Sequence, residues 1–185
     1  MNRLGLNVVA SQEIYKDFIS GKIINKYDFA DGRLMPSAKF SALVGDIETY
    51  RSLYTLLGFD LIAIGTEAYY ISRTDRMDLN ETGAAIQVIL LMLCRGLISK
   101  GISPRILLDS ESGISAKDVD SIGEDEEVSR ILKATNLQTP LTKTVNSALV
   151  DKGIMHKTQN DRYILSCAGK CLYDKLFTAI PDNHS

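Results

Sequence analysis

The 185-residue chain holds only two histidines, His156 and His184, and three cysteines, Cys94, Cys167 and Cys171. So few histidines leave little material for a Ser-His-Asp or Cys-His nucleophile. Cys167 and Cys171 fall one helical turn apart with His156 upstream. Zinc would need a fourth ligand, the only other imidazole is in the tail, and core cysteines explain the same letters. An odd number of cysteines with no dense spacing fits a reduced, cytoplasmic protein rather than a disulfide framework. Asp118-x-Asp120 near Gly123 lacks the spacing and the closing Glu of a calcium loop. Walker loop, dinucleotide fingerprint and nucleophile elbow are all missing. The chain reads as a non-enzyme, with no catalytic, metal or cofactor-binding residues.

Long apolar runs are missing too. The longest, Val88 to Cys94, sits between Gln87 and Arg95; it is too short to span a bilayer and reads as a buried helix. Arg3 followed by the short stretch Leu4 to Ala10, interrupted by Gly5, makes a poor signal peptide. Nor is there a positive excess: 21 Lys and Arg face 23 Asp and Glu, a net charge of −2, with a pI near 5.7. A protein living mainly on phosphate contacts is usually basic overall. What the chain does have is 45% hydrophobic residues, enough for a packed core in one domain or two small ones.

The organising stretch runs from Ser37 to Arg73. Phe40, Leu43, Val44, Ile47, Tyr50, Tyr54 and Leu57 recur at spacings of three and four, predicting one long helix capped by Ser37 and stopped by Gly58. Phe59 to Ile64, the turn Gly65-Thr66-Glu67, and Ala68 to Ile71 then predict a β-hairpin. Upstream, residues 11–21 read as a helix with Ser11 as its cap, Lys22 to Tyr27 as a single strand, and Asp28 to Pro36 as a loop. Arg73 to Asn80 is a polar connector, and Glu81 to Lys100 is an apolar helix placed where both halves can pack on it.

Ile106 to Leu108 reads as a short strand, and Ser115 opens a short helix by N-capping. Glu124 to Thr135 is helical with its acids at the positive end, and Thr139 caps a helix with Pro140 in its first turn. Val145, Leu149 and Val150 form that helix's buried stripe, and Gly153 ends it. Ile154 to Thr158 and Ser166 back to Arg162 predict a second hairpin across Gln159-Asn160-Asp161. Cys167 to Ile180 closes the chain as a helix, before a frayed tail from Pro181. The helix, glycine and two-stranded ribbon thus occur twice. The expected fold is α+β, mainly helical: two tandem winged-helix domains, each with a β-hairpin wing, over 1–78 and 79–185.

Ile19-Ser20-Gly21-Lys22-Ile23-Ile24, the helix from Phe40, and Leu61 to Ile71 resemble the first winged helix of MukE-type proteins, and Leu141 to Leu165 is similar to the second. These are small non-SMC subunits of bacterial MukBEF-like condensins; relatives serve Mks complexes and anti-plasmid defence condensins. The likeness spans roughly residues 12–178 and is one of pattern. It implies a cytoplasmic, nucleoid-associated homodimer that binds the MukF-like kleisin and, through it, the MukB-like SMC ATPase, in chromosome condensation and partition. It also implies DNA contact from the second recognition helix, whose basic residues here are Lys143 and Lys152.

Charge is uneven along the chain. From Arg130 to Lys175 eight basic residues face three acids, and from Asp109 to Glu127 eight acids face Lys117 alone. Two readings fit: Lys143, Lys152, Lys157 and Arg162 touch DNA phosphates, or they belong to a solvated surface of mixed charge. The acidic run Glu124 to Glu127 is either a docking surface or a complement to its helix dipole. Neighbouring strand residues face opposite sides, so one of Tyr69 and Tyr70 points outward, as a partner contact or as a core tyrosine with a wet hydroxyl. The other function in view is a stand-alone winged-helix transcription regulator, which would need a basic recognition helix reading base edges.

Overall fold

The computed structural model describes residues 5–74, 81–135 and 137–178; most of the expected connector, the boundary between 78 and 79, and the tail from Pro181 lie outside them. The chain begins with α1 (Val8–Ile19), β1 (Ile24–Asn25), β2 (Tyr27–Ala30), β3 (Arg33–Pro36), α2 (Ala38–Gly45), α3 (Ile47–Leu56), β4 (Phe59–Ile64) and β5 (Ala68–Arg73). β1, β5 and β4 form an antiparallel sheet in that order. The expected hairpin is present, with Leu61 opposite Ile71 and Ile64 opposite Ala68. Ile14, Phe18, Leu43, Tyr50 and Tyr54 make the core of this half, with Tyr69 and Ile71 packed against it.

Three expectations for this half need correction. The first helix starts earlier: Asn7, not Ser11, is its cap, its side-chain oxygen accepting from the Ala10 amide at 3.1 Å. Asn caps as well as Ser, and Ser11 instead bonds the Asn7 carbonyl and the Tyr50 hydroxyl. Residues 27–36 are a hairpin and not a loop, β2 pairing with β3 across Asp31-Gly32. Both turn residues have positive φ, 50° and 78°, the geometry a two-residue hairpin turn requires and Asp-Gly supplies. Ser37 does cap a helix, but the long helix is two, broken at Asp46, whose φ of −125° and ψ of 35° are not helical. The apolar spacing runs on through the break because α2 and α3 face the same core.

The second half contains α4 (Glu81–Ser99), a 3-10 turn (Pro104–Leu108), β6 (Ile114–Ser115), α5 (Ala116–Gly123) and α6 (Glu126–Ala134). It continues with α7 (Leu141–Val145), a π-turn (Asn146–Val150), β7 (Met155–Lys157), β8 (Arg162–Leu165) and α8 (Cys167–Thr178). β6, β8 and β7 form its sheet. Each half therefore runs helix, strand, helices, hairpin, and in each the first strand pairs with the hairpin's second strand. The architecture is α+β, helices carrying small antiparallel sheets.

Ser115 caps α5, accepting from the Asp118 amide at 3.1 Å. Residues 106–108 form no strand; Pro104 opens a helical turn there, its missing N–H being one a helix start does not use. Thr139 does not cap α7. Pro140, with an extended ψ of 163°, holds the position before the helix, and the Thr142 amide is capped by Asp120 of α5 at 2.9 Å. The buried stripe is Leu141, Thr144, Val145 and Leu149, with Val150 half-buried at its edge.

Ile89, Leu90, Leu93 and Leu97 of α4 are fully buried in the larger core, which Ala68, Ile64 and Ile23 of the first half join. The β1-β5-β4 sheet is thus a wall with the smaller core on one face and part of the larger core on the other. A polar seam fixes the two halves. The Ile23 amide donates to the Lys152 carbonyl at 3.0 Å. Asn25, 3% exposed, donates to the Gly153 carbonyl at 2.8 Å and accepts from the Ala168 amide at 2.9 Å.

Gly153 has φ of +75°, and a Cβ there would stand 2.7 Å from the Ile23 carbonyl oxygen, whereas Gly58, φ +79°, faces open space. Gly58→Ala should cost about 1 kcal/mol, the ordinary left-handed penalty. Gly153→Ala should cost about 2 kcal/mol or more, lowering Tm by roughly 4–8 °C at this chain length. Thermal unfolding of the two variants checks this; equal losses would mean the close approach at the seam is relaxed without cost.

Candidate interaction site

α1 carries two stripes. Ile14 and Phe18 point into the core, while Val8, Tyr15 and Ile19, spaced seven and four apart, lie on another side and are about half exposed. α3 likewise buries Tyr50 and Tyr54 but leaves Leu53 half-buried. Its last residue, Leu56, is 86% exposed, and Leu57 just beyond the end is also open to solvent. Between the helices lies a cleft of about 250 Å³ walled by Leu6, Val8, Tyr15 and Leu53, with Tyr54 lining it too. Phe18 meets the Tyr54 ring edge-on at 5.4 Å, and Tyr50 stacks on it at 6.5 Å.

Burial pushes the Tyr54 phenol well above its usual range, so the cleft is neutral at physiological pH. Its polar lining is uncharged: Gln12 and the Ser11 hydroxyl, the latter bonded to the Tyr50 hydroxyl at 2.8 Å. Such a cleft accepts apolar side chains and offers no acid, base or nucleophile. Exposed apolar surface of this kind makes the cleft a candidate interaction site. The sequence reading missed it because the helix was started at Ser11, leaving Val8 and Val9 outside; the signal was a second apolar stripe out of phase with Ile14 and Phe18.

The four candidate DNA contacts sit on two parts of the second half: Lys143 and Lys152 along the stretch from α7, Lys157 and Arg162 on the β7–β8 hairpin. Lys143 is exposed on α7, and no ion pair engages it among the described residues. Lys152 lies past the far end of the same helical stretch, donating to the Ser20 carbonyl at 2.6 Å. Lys157 pairs with Asp161 at 2.8 Å and lies 5.9 Å from the centre of the Tyr163 ring. The Arg162 guanidinium donates to the carbonyls of Ser112 and, at 2.9 Å, Gly113, tying β8 to the loop before β6. Tyr69 and Tyr70 do take opposite faces. Tyr69 packs on Phe40 at 5.9 Å, while Tyr70, opposite Ile62, shares the Ala68 face; both are half-buried.

Other sequence candidates have structural partners. Asp118 accepts from the Ser115 hydroxyl, and Asp120 caps α7. Glu127 pairs with Arg95 of α4 at 2.8 Å. Cys94 is buried and its thiol is pushed up to about 12 by desolvation, which keeps it protonated and unreactive. Cys167 is buried beside the Lys26–Tyr27 backbone and is also pushed up by burial. Among the described residues no cluster of His, Cys, Asp or Glu has the arrangement of a metal site, and no helix is long and apolar enough to cross a membrane.

The chain is built from two similar helix-and-hairpin halves, with an exposed apolar cleft on the first. The family of condensin complex proteins described as MksE matches residues 10–177. The chain belongs to that family, and so to the MukE-like subunits of condensin complexes. Comparison with curated proteins gives no match.

The cation geometry has a measurable consequence. Arg162→Gln leaves two backbone carbonyls without their donor and should cost about 1–3 kcal/mol. Lys143→Gln should stay within about 0.5 kcal/mol, as exposed substitutions do. Chemical denaturation of the two variants decides; equal stability would make the Arg162 contacts incidental.

Proposed function

We propose that this chain is the kleisin-binding accessory subunit of a MukBEF-like SMC condensin and acts in chromosome condensation and segregation as a homodimer. On this reading each half is a winged helix, the halves being domains 1–78 and 79–185, and the β4–β5 and β7–β8 hairpins are the wings. The observation that carries it is the neutral apolar cleft between α1 and α3 with exposed Leu56 and Leu57 beside it, in a chain of a condensin family. A kleisin segment supplies the apolar side chains that such a cleft takes. Tyr70, half-buried beside Ile62, is a second contact candidate. ATP hydrolysis belongs to the SMC partner, and the protein works at the nucleoid.

DNA contact is a lesser part of the reading. Lys143 supplies its exposed charge, while Lys152, Lys157 and Arg162 have intramolecular partners. That distribution favours a protein-holding subunit over a free-standing operator-binding regulator, whose recognition helix must present several cations and amides to base edges.

The test is co-purification with a MukF-like kleisin from the same organism, together with light scattering of the chain alone. The expected results are a dimer and a stable complex. Leu56→Lys, at an exposed position, should leave Tm within about 2 °C while weakening kleisin binding by about tenfold or more, the scale of an interface anchor. A monomer that binds no kleisin fragment would sink the proposal.

A further inference from the structure

His156 lies where the two halves meet, on β7 opposite Ile164. Strand alternation puts it on the face away from Met155, Tyr163 and Leu165, which fill the larger core. The β2–β3 hairpin, which the symmetry of the two halves does not require, packs along β7 on that side. A Cβ on Gly32 at its tip would lie 3.4 Å from the Gln159 side chain at the tip of the β7–β8 hairpin. Within this sandwich the Nε2 atom of His156 is buried and makes no hydrogen bond. A buried polar atom without a partner is costly and uncommon, and calls for an explanation.

The charged groups around the ring come from every element packed on it. Asp28 on β2 favours the imidazolium; Lys22, after α1, and Lys170, on α8, oppose it. Lys157, next in sequence, is paired with Asp161, Lys26 is paired with Glu67, and the Cys167 thiol is kept neutral by burial. One carboxylate thus faces two ammonium groups around a partly buried ring, and a charge on the ring has no hydrogen-bond acceptor at Nε2.

We propose that His156 is a proton-sensitive latch: its neutral ring lets the β2–β3 hairpin of the first half dock on the β7–β8 hairpin of the second, and its protonation loosens that docking. Burial, then Lys22 and Lys170, hold the imidazole below its ordinary value of 6.5, with Asp28 pulling the other way. The folded chain therefore binds fewer protons than the unfolded chain just below pH 6.5. Stability is complete above that pH and falls as the pH drops through 6.5 toward the depressed folded value. Asp and Glu with ordinary values titrate lower, and the only other histidine is His184, so the part of the response between pH 7.5 and 5.5 that His156→Gln removes belongs to this ring.

The experiment follows hydrogen exchange, corrected for its intrinsic pH dependence, at two seam amides. These are Ile23, bonded to the Lys152 carbonyl, and Ala168, bonded to Asn25. Their protection should fall several-fold between pH 7.5 and 5.5 in the native chain and stay level in His156→Gln. Asp28→Asn should move the transition to lower pH, and Lys170→Gln to higher pH. These opposite shifts decide the matter even if His156→Gln does not fold. An equal fall in His156→Gln, or shifts of the same sign in the two charge variants, would overturn the latch.

Discussion

The structure turns on one buried carboxamide. Asn25 ends a strand only two residues long, and β1 could not hold two halves together by its ladder alone. Its side chain instead reaches into the second half, donating to Gly153 and accepting from Ala168. Losing the carboxamide would leave the buried Ala168 amide unpaired, at about 1–3 kcal/mol, while the Gly153 carbonyl would keep only the Ser166 hydroxyl, at 2.7 Å. Residue 24 next door turns the other way: Ile24 is 3% exposed in the smaller core. Two adjacent residues of one short strand thus anchor the two halves from opposite faces.

Around that point the seam is reciprocal. Lys152 gives its carbonyl to Ile23 and its ammonium to Ser20, the latter at the C-terminal end of α1, where a cation is favoured. The apolar share of the junction is small, limited to Ala68 with the half-buried Ile23 and Ile64. Apolar contact is non-directional, and a patch this small would tolerate sliding. Hydrogen bonds with fixed donors and acceptors do not. The relative orientation of the α1–α3 cleft and the β7–β8 hairpin is therefore set by polar geometry, which suits a subunit that must hold partners at defined places.

Much of this was legible from spacing. Both long hairpins, the buried α4 and the closing α8 follow from local period and turn chemistry, and the Ser37 and Ser115 caps from residue type alone. The β2–β3 hairpin was hidden by Pro36, which suggests a loop. Pro36 in fact ends a strand of a separate two-stranded sheet, a position where a missing N–H is tolerated. The break at Asp46 was invisible because two helices facing one core keep one apolar phase. The Asp120 cap on α7 lies 22 residues from its amide, and the Lys152 bond 132 residues from its carbonyl; no local pattern encodes either. The interaction site was half legible. Leu53 and Leu57 sit in the expected helix, but their meaning depends on where α1 begins.

The basic excess of the second half shows how composition can mislead about chemistry. Counterion release needs cations free to replace sodium or potassium at phosphates. Arg162 spends its guanidinium on two carbonyls, Lys152 on one, Lys157 and Arg130 on carboxylates. Three of these four residues brace a loop, a seam or a hairpin tip, so part of the charge imbalance comes from tying irregular backbone together with long basic side chains. Among the described residues, Val8, Tyr15, Leu56 and Leu57 expose apolar surface, the first two lining the neutral cleft. Leaving that surface in water is unfavourable by the same effect that builds the core. A second chain that covers it gains the corresponding free energy, and that asymmetry between satisfied charge and unsatisfied apolar surface is the physical basis for reading the protein as a holder of other proteins.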